Sequence, residues 1–192
     1  GVRKLGGVLV ERRARESALT CVLGLGLNVA GRPDQWPPEL RDHLTIDPAN
    51  RLAIVSAGFT NQEVQAAAAG HGFFWAPDPT SAAVSTIGGN LAYNSAGPRA
   101  VKYGTPRDNT LGLRAVDGRG KIFKTGVTTT KGVVGYDLTR LLIGSEGTLA
   151  VITEAALKLT PLAAEKKPLQ AIYTDIHAAA AAVSRIMAQP IT

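Results

Sequence analysis

APDPTSAAVSTIGGNLAYNSAGPRAVKYGTPRDNTLGL, residues 76–113, is the most informative stretch of the sequence. Gly88, Gly89, Gly97 and Gly104 punctuate a segment that is rich in Ser, Thr and Asn. Because glycine has no Cβ, it lets backbone amides approach a bound group closely, and it adopts positive φ readily. Residues 78–104 are expected to be a loop, which either presents N–H donors to a pyrophosphate or forms a pair of tight turns. Glycine content alone favours the turns, since a lone glycine motif is a weak signal.

A second segment, KGVVGYDLTRLLIGSEGTLAVITEAALKL, residues 131–159, places a tight turn directly before a long apolar run. On its own, this pattern is typical of a hairpin that leads into a core strand. Glu146 has the chemistry of a base or a ligand, but no second acid, histidine or cysteine stands nearby to complete a catalytic set. The three histidines, His43, His71 and His177, do not have metal-ligand spacing. The sequence therefore predicts no metal site and assigns no catalytic residue.

The residues around these segments predict a mixture of strands and helices. Thr60 with Glu63 three residues later forms a capping box, which predicts a helix over residues 61–69 that ends at Gly70. Further helices are predicted at residues 136–143 and 177–189. Strands are predicted at residues 8–10, 20–29, 44–46, 52–57, 73–76, 111–116, 121–124, 148–159 and 169–174. The strands at 111–116 and 121–124 flank residues 117–120, a spacing that predicts a β-hairpin. Since strict βαβ alternation is absent, the pattern favours an α+β fold, with one core between Leu52 and Leu159.

Composition excludes several classes of protein. The 192 residues are 45% hydrophobic, which suits one domain, or one domain plus a fragment. The formal charge of +6 is spread along the chain, and Arg12 and Arg13 are interleaved with acidic residues, so no nucleic-acid partner is expected. Cys21 is the single cysteine, which excludes an internal disulfide and fits a reducing compartment. No run of about 18 apolar residues is present to span a membrane, so a cytoplasmic location is expected.

Taken together, the two quoted segments closely resemble the FAD-binding domain of the vanillyl-alcohol-oxidase (PCMH-type) flavoproteins. Within that superfamily they look most like the flavin subunit of glycolate oxidase and its D-lactate dehydrogenase relatives. The resemblance covers residues 44–192 and implies an α+β domain with a mixed sheet and flanking helices. It also implies FAD as the cofactor, a 2-hydroxy acid as substrate and a 2-oxo acid as product. Iron–sulfur or other oxidase subunits are the implied protein partners.

The same resemblance implies which residues line the cofactor, mostly through backbone contacts. The implied FAD contacts are Pro77, Asp78, Ser81, Thr86, Ile87, Gly88, Gly89, Asn90, Asn94, Gly97, Tyr103, Gly104, Glu146, Gly147, Val151 and Ile152. Two parts of the family pattern are expected to be missing from this chain. They are the glycine-rich pyrophosphate loop, typically PRGxGTGxxGG, and the C-terminal cap domain, which would lie beyond Thr192. The domain is therefore expected to be truncated and inactive by itself.

The opening of the chain resembles a different family. KLGGVLVERR (4–13), VLGLGLNV (22–29) and WPPELRD (36–42) look like the catalytic domain of biotin-protein ligase. That resemblance implies that Lys4 contacts biotin or its adenylate and that Asn28 lies by the nucleotide. Residues 1–43 are thus expected to be a ligase-like fragment that forms a β-hairpin, docked loosely or added to the sheet of residues 44–192. The alternatives to an oxidoreductase are therefore a biotin-protein ligase and a non-catalytic chimeric fragment with exposed strand edges.

Overall fold

The computed structural model describes residues 6–15, 18–27, 43–129, 131–165 and 168–189, the first two ranges as backbone alone. It divides into two compact units, Gly1–Leu162 and Ala163–Thr192. In chain order, the elements are β1 Gly6–Arg15, β2 Ala18–Leu27, β3 Leu44–Asp47, β4 Leu52–Ser56, α1 Asn61–Ala69, β5 Phe73–Trp75, α2 Ile87–Tyr93, α3 Ala100–Tyr103, β6 Thr110–Asp117, β7 Ile122–Gly126, α4 Leu138–Leu142, β8 Ala150–Pro161 and α5 Ile176–Met187.

A six-stranded antiparallel sheet is the centre of the first unit. Its strands follow the order β3-β4-β8-β6-β7, and β5 pairs with the far end of β8. The twelve-residue strand β8 is central because it pairs with β4 on one side and with β6 on the other. Strands β6 and β7 form the predicted hairpin, in which Asp117 Oδ1 accepts hydrogen bonds from two backbone N–H groups of the turn. The predicted α+β class is confirmed for the described residues, but the prediction of a mixed sheet is wrong, because every strand pair in this sheet is antiparallel.

One hydrophobic core packs between this sheet and its helices. It draws buried side chains from β4, α1, β5, α2, β6, α4 and β8, between Ala53 and Leu159. Each fully buried Val, Leu or Ile contributes about 1.5–3 kcal/mol relative to exposure. Trp75 lies fully buried in the core, and its indole Nε1 donates to the Asn109 carbonyl oxygen at 3.0 Å. The predicted core is confirmed.

Helix α1 begins and ends where the sequence predicts. The Thr60 backbone N–H donates to Glu63 Oε2 at 2.7 Å, and the Glu63 N–H donates back to Thr60 Oγ1 at 3.2 Å. This reciprocal pair satisfies two N–H groups that have no partner within the helix. Gly70 is the C-cap, and its N–H donates to the Ala66 carbonyl oxygen at 3.3 Å.

The prediction that residues 78–104 form only a loop is wrong, since α2 and α3 lie within it. Thr86 caps α2 by accepting a hydrogen bond from the Gly89 N–H at 3.3 Å. Gly88 lies inside α2 rather than in a turn, and a Cβ there would be 2.8 Å from the Ala57 Cβ. Its glycine therefore serves close packing of the helix. Asn94 ends the helix in the left-handed conformation, with φ 60°.

Other differences lie at the ends of the chain. Residues 169–174 are not the predicted strand, and Leu169 and Ile172 are 97% and 88% exposed. Local residue preference cannot replace the neighbouring strand that a strand needs for its backbone hydrogen bonds. Strands β1 and β2 form a two-stranded sheet of their own rather than adding to the six-stranded sheet, with Gly6 paired to Leu27. Lys4 and Asn28 lie outside the described residues.

Candidate cofactor site

The two segments singled out in the sequence lie against each other. The Gly144 N–H donates to the Leu91 carbonyl oxygen, and the Glu146 N–H donates to the Ala92 carbonyl oxygen, both at 2.9 Å. Gly144, Glu146 and Gly147 all have positive φ, so residues 144–147 form a tight turn against the C-terminal end of α2. A Cβ added at Gly147 would meet no atom within 4 Å. Space is therefore open beside the outer end of this turn.

The N-terminal end of α2 is linked to strand β8 through Ala57. The Gly88 N–H donates to the Ala57 carbonyl oxygen, and the Ala57 N–H donates to the Thr153 carbonyl oxygen, each at 2.9 Å. The segment from Gly144 to Thr153 thus runs beside α2 along its whole length. Pairing between β4 and β8 stops at Ser56 and Glu154, and beyond the Ala57–Thr153 hydrogen bond no described strand covers residues 150–152 on that side. This open backbone edge is suited to polar contacts with a bound molecule.

Asn90 carries an unsatisfied amide inside the site. The residue is 2% exposed, and neither Nδ2 nor Oδ1 has a hydrogen-bond partner among the described residues. Leaving a buried polar group unpaired costs about 1–3 kcal/mol. A polar group of a ligand beside α2 would supply the missing partner.

The neighbouring loop is held together by Asp78. Its backbone N–H donates to the Ala96 carbonyl oxygen at 2.9 Å. Its carboxylate accepts from the Arg99 backbone N–H at 3.1 Å and pairs with Arg99 Nε at 3.1 Å. Gly97 lies inside this turn with φ 80°, and a Cβ there would be 2.2 Å from the Asp78 carbonyl oxygen. Asp78 and Gly97 therefore shape the loop, and the Asp78 carboxylate already has a partner.

Tyr103 and Gly104 continue the same loop. The Tyr103 ring packs edge-on against Phe74, with 5.4 Å between ring centroids and an interplanar angle of 86°. Its carbonyl oxygen accepts from Asn109 Nδ2 at 2.8 Å, and the same Nδ2 donates to the Thr105 carbonyl oxygen at 2.9 Å. Asn109 is 4% exposed and thus fixes the end of the loop from inside.

The side chains of the remaining predicted contacts differ in their exposure to solvent. Pro77 and Ile87 are fully buried, whereas Ser81 and the Glu146 side chain are exposed. Along β8, Val151 is 65% exposed and Ile152 is 9% exposed within the core. A contact from Ile152 to a ligand would thus come from its backbone, as the resemblance implies.

Sequence reasoning did not select Arg107 or Asn109, although both organise the site. Arg107 Nε donates to the Ile143 carbonyl oxygen at 3.0 Å, and its backbone N–H donates to Asn94 Oδ1 at 3.3 Å. It therefore joins the end of α2 to the turn that follows α4. Neither residue lies in a pattern that signals such a role, because both act on atoms distant in sequence.

Ionisable groups add little chemistry to the site. The pKa of the Asp108 carboxyl lies below its usual range, mainly because the Thr105 backbone N–H donates to Oδ2 at 2.8 Å. Within the described residues, no group of three His, Cys, Asp or Glu side chains could hold a metal ion. The arrangement offers backbone donors, one unpaired amide and open space rather than acid–base residues. It is suited to holding a cofactor.

Comparison with known proteins names that cofactor. Residues 38–126 match the model of the FAD binding domain family. These residues form an FAD-binding domain, and FAD is the cofactor. The site fits this group, because the Asn90 amide has no partner among the described residues and the edge at residues 150–152 is open.

The relatives are FAD-linked oxidoreductases. The chain is 48% identical over 148 residues to glycolate oxidase subunit GlcD of Bacillus subtilis, covering 77% of this chain and 32% of that protein. It is 46% identical over 123 residues to D-lactate dehydrogenase of Archaeoglobus fulgidus, covering 64% of this chain and 28% of that protein. The domain is thus of the glycolate oxidase and D-lactate dehydrogenase type. The chain spans about a third of the length of the curated relatives it matches.

A third relative reaches further toward the beginning of the chain. Glycolate oxidase subunit GlcD of Escherichia coli is 35% identical over 187 residues, covering 95% of this chain and 37% of that protein. Because 95% of 192 residues leaves only about ten outside the match, part of the first 42 residues is included. None of these three relatives is a biotin-protein ligase, and the resemblance of residues 1–42 to that family stays a prediction.

Solved structures agree on the fold. An alkyldihydroxyacetonephosphate synthase matches with a TM-score of 0.53 and 29% identity, covering 62% of this chain and 21% of that chain. The FAD-binding domain of PCMH type, with helices and an antiparallel sheet, is therefore confirmed. Among the described helices, none combines the length and apolar character needed to cross a bilayer.

Proposed function

We propose that this FAD-binding domain serves an oxidoreductase that oxidises 2-hydroxy acids such as glycolate or D-lactate to 2-oxo acids. The observation that carries the proposal is the contact between α2 and residues 144–153, which assembles one wall from two distant segments. The relatives named as glycolate oxidase and D-lactate dehydrogenase supply the substrate class. FAD, when bound, supplies the acceptor for the hydride that leaves the α-carbon of the hydroxy acid.

The residues of the chain would bind and orient the cofactor rather than transfer protons. The Asn90 amide would hydrogen-bond a polar group of FAD, because it is buried and has no partner among the described residues. Backbone groups of Gly147 and Val151 would line the cofactor, since the turn at Gly147 opens onto free space and the strand edge is uncovered. Asp78, Tyr103 and their partners would keep the adjoining loop in shape.

FAD binding is the direct test. The purified chain would be titrated into FAD while flavin fluorescence is followed, and saturable quenching is expected. Gly89→Ala is the informative variant, because Gly89 is exposed on α2 and a Cβ there meets only Thr86 Oγ1 at 3.4 Å. The fold should tolerate the methyl group, but FAD affinity should fall by about tenfold, or 1.4 kcal/mol.

The matched control is Gly118→Ala in the β6–β7 turn, where a Cβ meets nothing within 4 Å. It should bind FAD like the unaltered chain. Absence of saturable FAD binding would refute the proposed site. Equal loss of affinity in both variants would show that Gly89 does not face the cofactor.

The substrate class needs its own measurement. The chain loaded with FAD would be mixed anaerobically with glycolate or D-lactate, and loss of the visible flavin absorbance is expected. L-lactate serves as the stereochemical control. If FAD binds but neither acid reduces it, the binding site stands and the assignment of 2-hydroxy acids to this chain fails.

Four further predictions concern more than this site. The cytoplasmic location is expected from the composition of the sequence, and association with iron–sulfur or other oxidase subunits follows from the family resemblance. Biotin-protein ligase activity is the alternative function, and the fluorescence experiment includes ATP and biotin as competing ligands for it. A chimeric, non-catalytic chain predicts that FAD, ATP and biotin all fail to bind.

A further inference from the structure

A cavity of about 340 Å³ adjoins the candidate cofactor site at Arg107. Its walls come from β6, β7, α4 and the segment that joins β7 to α4. None of the residues that the resemblance assigns to FAD lines it. The volume is at the lower end of the roughly 300–1,000 Å³ typical of small-molecule sites. This volume is larger than a single inorganic ion would fill, and it is suited to a small organic molecule.

Three cations and two carboxylates line the cavity, and their pairing leaves positive charge in excess. Arg140 lies between the carboxylates, with Nη2 at 2.9 Å from Asp108 Oδ1 and Nε at 3.4 Å from Asp137 Oδ2. Arg107 and Lys158 have no carboxylate within 4 Å in the part of the chain that the structure describes. The lining therefore has a net charge of about +1, carried by two cations without an ionic partner in the described ranges.

The two unpaired cations differ in how they are held. Arg107 is anchored, because its Nε donates to the Ile143 carbonyl oxygen at 3.0 Å and its Nη2 lies against Gly144. Lys158 is exposed, and its backbone N–H is fixed by the Asn109 carbonyl oxygen at 3.0 Å. An anchored guanidinium and a flexible ammonium are a common pair for holding an oxyanion.

The two acidic residues of the lining already have hydrogen-bond and ion-pair partners within the protein. The Thr105 N–H and Arg140 both stabilise the ionised Asp108 carboxylate and lower its pKa. Asp137 Oδ1 also accepts from the Arg140 backbone N–H at 2.9 Å. Both carboxylates therefore have hydrogen-bond partners within the protein, and Arg140 offsets one of their two charges.

We propose that this cavity is a second ligand site, which binds a small organic oxyanion through Arg107 and Lys158. The ligand class is a molecule with carboxylate or phosphate groups and a body small enough for the cavity. Its lining includes none of the residues that the resemblance assigns to FAD, although Arg107 also bonds the turn beside α2.

Calorimetric titration at constant ionic strength tests the proposal. Citrate and pyrophosphate are the two probes, and chloride is the reference anion. Saturable binding of one equivalent is expected for at least one probe, and the stronger probe identifies carboxylate or phosphate as the preferred group. Lys158→Gln should weaken that binding about tenfold, or 1.4 kcal/mol.

The matched control is Lys121→Gln, which removes one exposed charge from the β6–β7 turn outside the cavity. It should leave probe affinity unchanged. No saturable binding of either probe, or equal weakening in the two variants, overturns the second site. Both variants should bind FAD normally, and a Lys158→Gln chain that loses FAD would assign the cavity to the cofactor instead.

Discussion

Asn90 is a buried residue whose side-chain amide has no hydrogen-bond partner among the described residues. Its amide is enclosed in the middle of α2, where neighbouring residues Ile87 and Leu91 belong to the core. An asparagine at such a position lowers the stability of the chain alone, because its polar atoms lose water without gaining a protein partner. A residue of this kind is retained where a ligand satisfies it.

Asn90→Leu is therefore expected to move stability and binding in opposite directions. Without FAD, the free energy of unfolding should rise by about 1–3 kcal/mol, because the unpaired amide is replaced by an apolar group of similar size. FAD affinity should fall, because the proposed contact is lost. Urea unfolding and flavin fluorescence measure the two effects. Gln62→Leu, on the exposed face of α1, controls for helix propensity.

Lower stability of the Asn90→Leu chain without FAD would contradict this expectation. It would mean that the amide is already paired within the protein. Unchanged FAD affinity would remove Asn90 from the proposed contacts.

Gly97 is the position where backbone conformation and crowding coincide. Gly97→Ala should destabilise the chain by about 2–3 kcal/mol, because φ 80° is unfavourable for alanine and the Cβ would overlap the Asp78 carbonyl oxygen. Urea unfolding at neutral pH measures the loss. Gly118→Ala, which has open space and no positive φ, should change stability by less than about 0.5 kcal/mol. Equal stability of the two variants would show that the loop around residue 97 can rearrange.

At the scale of single elements, α1 and α2 begin in the same way. Thr60 and Thr86 each accept a hydrogen bond from the N–H three residues later. In α1 the acidic residue Glu63 completes the capping box, whereas α2 has Gly89 at that position. This difference explains why the sequence predicted α1 and missed α2, since glycine is a poor helix former.

The capping box gives α1 a pH-dependent contribution to stability. The Thr60 backbone N–H and hydroxyl donate to the Glu63 carboxylate and hold its pKa below the ordinary 4.5. The stabilisation is therefore present above the unfolded value and is lost as the pH falls through the folded value. Because Glu63 is exposed, screening limits the effect to a few tenths of a kcal/mol, up to about 1.

Urea unfolding of the unaltered chain and of Glu63→Gln at pH 7 and pH 3 checks this contribution. The unaltered chain should be the more stable of the two at pH 7, and the difference should shrink as the pH falls to 3. A difference that persists unchanged at pH 3 would mean that charge on Glu63 does not contribute.

At the scale of the whole molecule, cofactor binding should be coupled to folding. The proposed wall joins α2, the turn at residues 144–147 and β8, so FAD would bind the folded chain and not the unfolded one. At about a hundred times its dissociation constant, such a ligand adds about 2.7 kcal/mol to the free energy of unfolding. The midpoint of thermal unfolding should rise accordingly as FAD is added.

Riboflavin is the control ligand, because it lacks the pyrophosphate and the adenosine of FAD. It should raise the midpoint less than FAD does at the same concentration. An equal shift would place all the binding on the isoalloxazine ring, and no shift with FAD would contradict the coupling.

The sequence alone determined the local features of this protein. The Thr60–Glu63 pair set the start of α1, and Asp117 with the flanking apolar runs set the β6–β7 hairpin. The long apolar run after a tight turn identified strand β8 to within about two residues. These features depend on contacts between residues close in the chain, which is why a single sequence predicts them.

Only the tertiary structure decided how the candidate site is assembled. Gly88 is a glycine because α2 packs on Ala57, and Arg107 matters because it bonds the Ile143 carbonyl oxygen. Residues 169–174 lack a strand partner, although their own pattern suits a strand. Each of these outcomes depends on the presence or absence of residues distant in sequence, and folding rather than local preference brings such residues together.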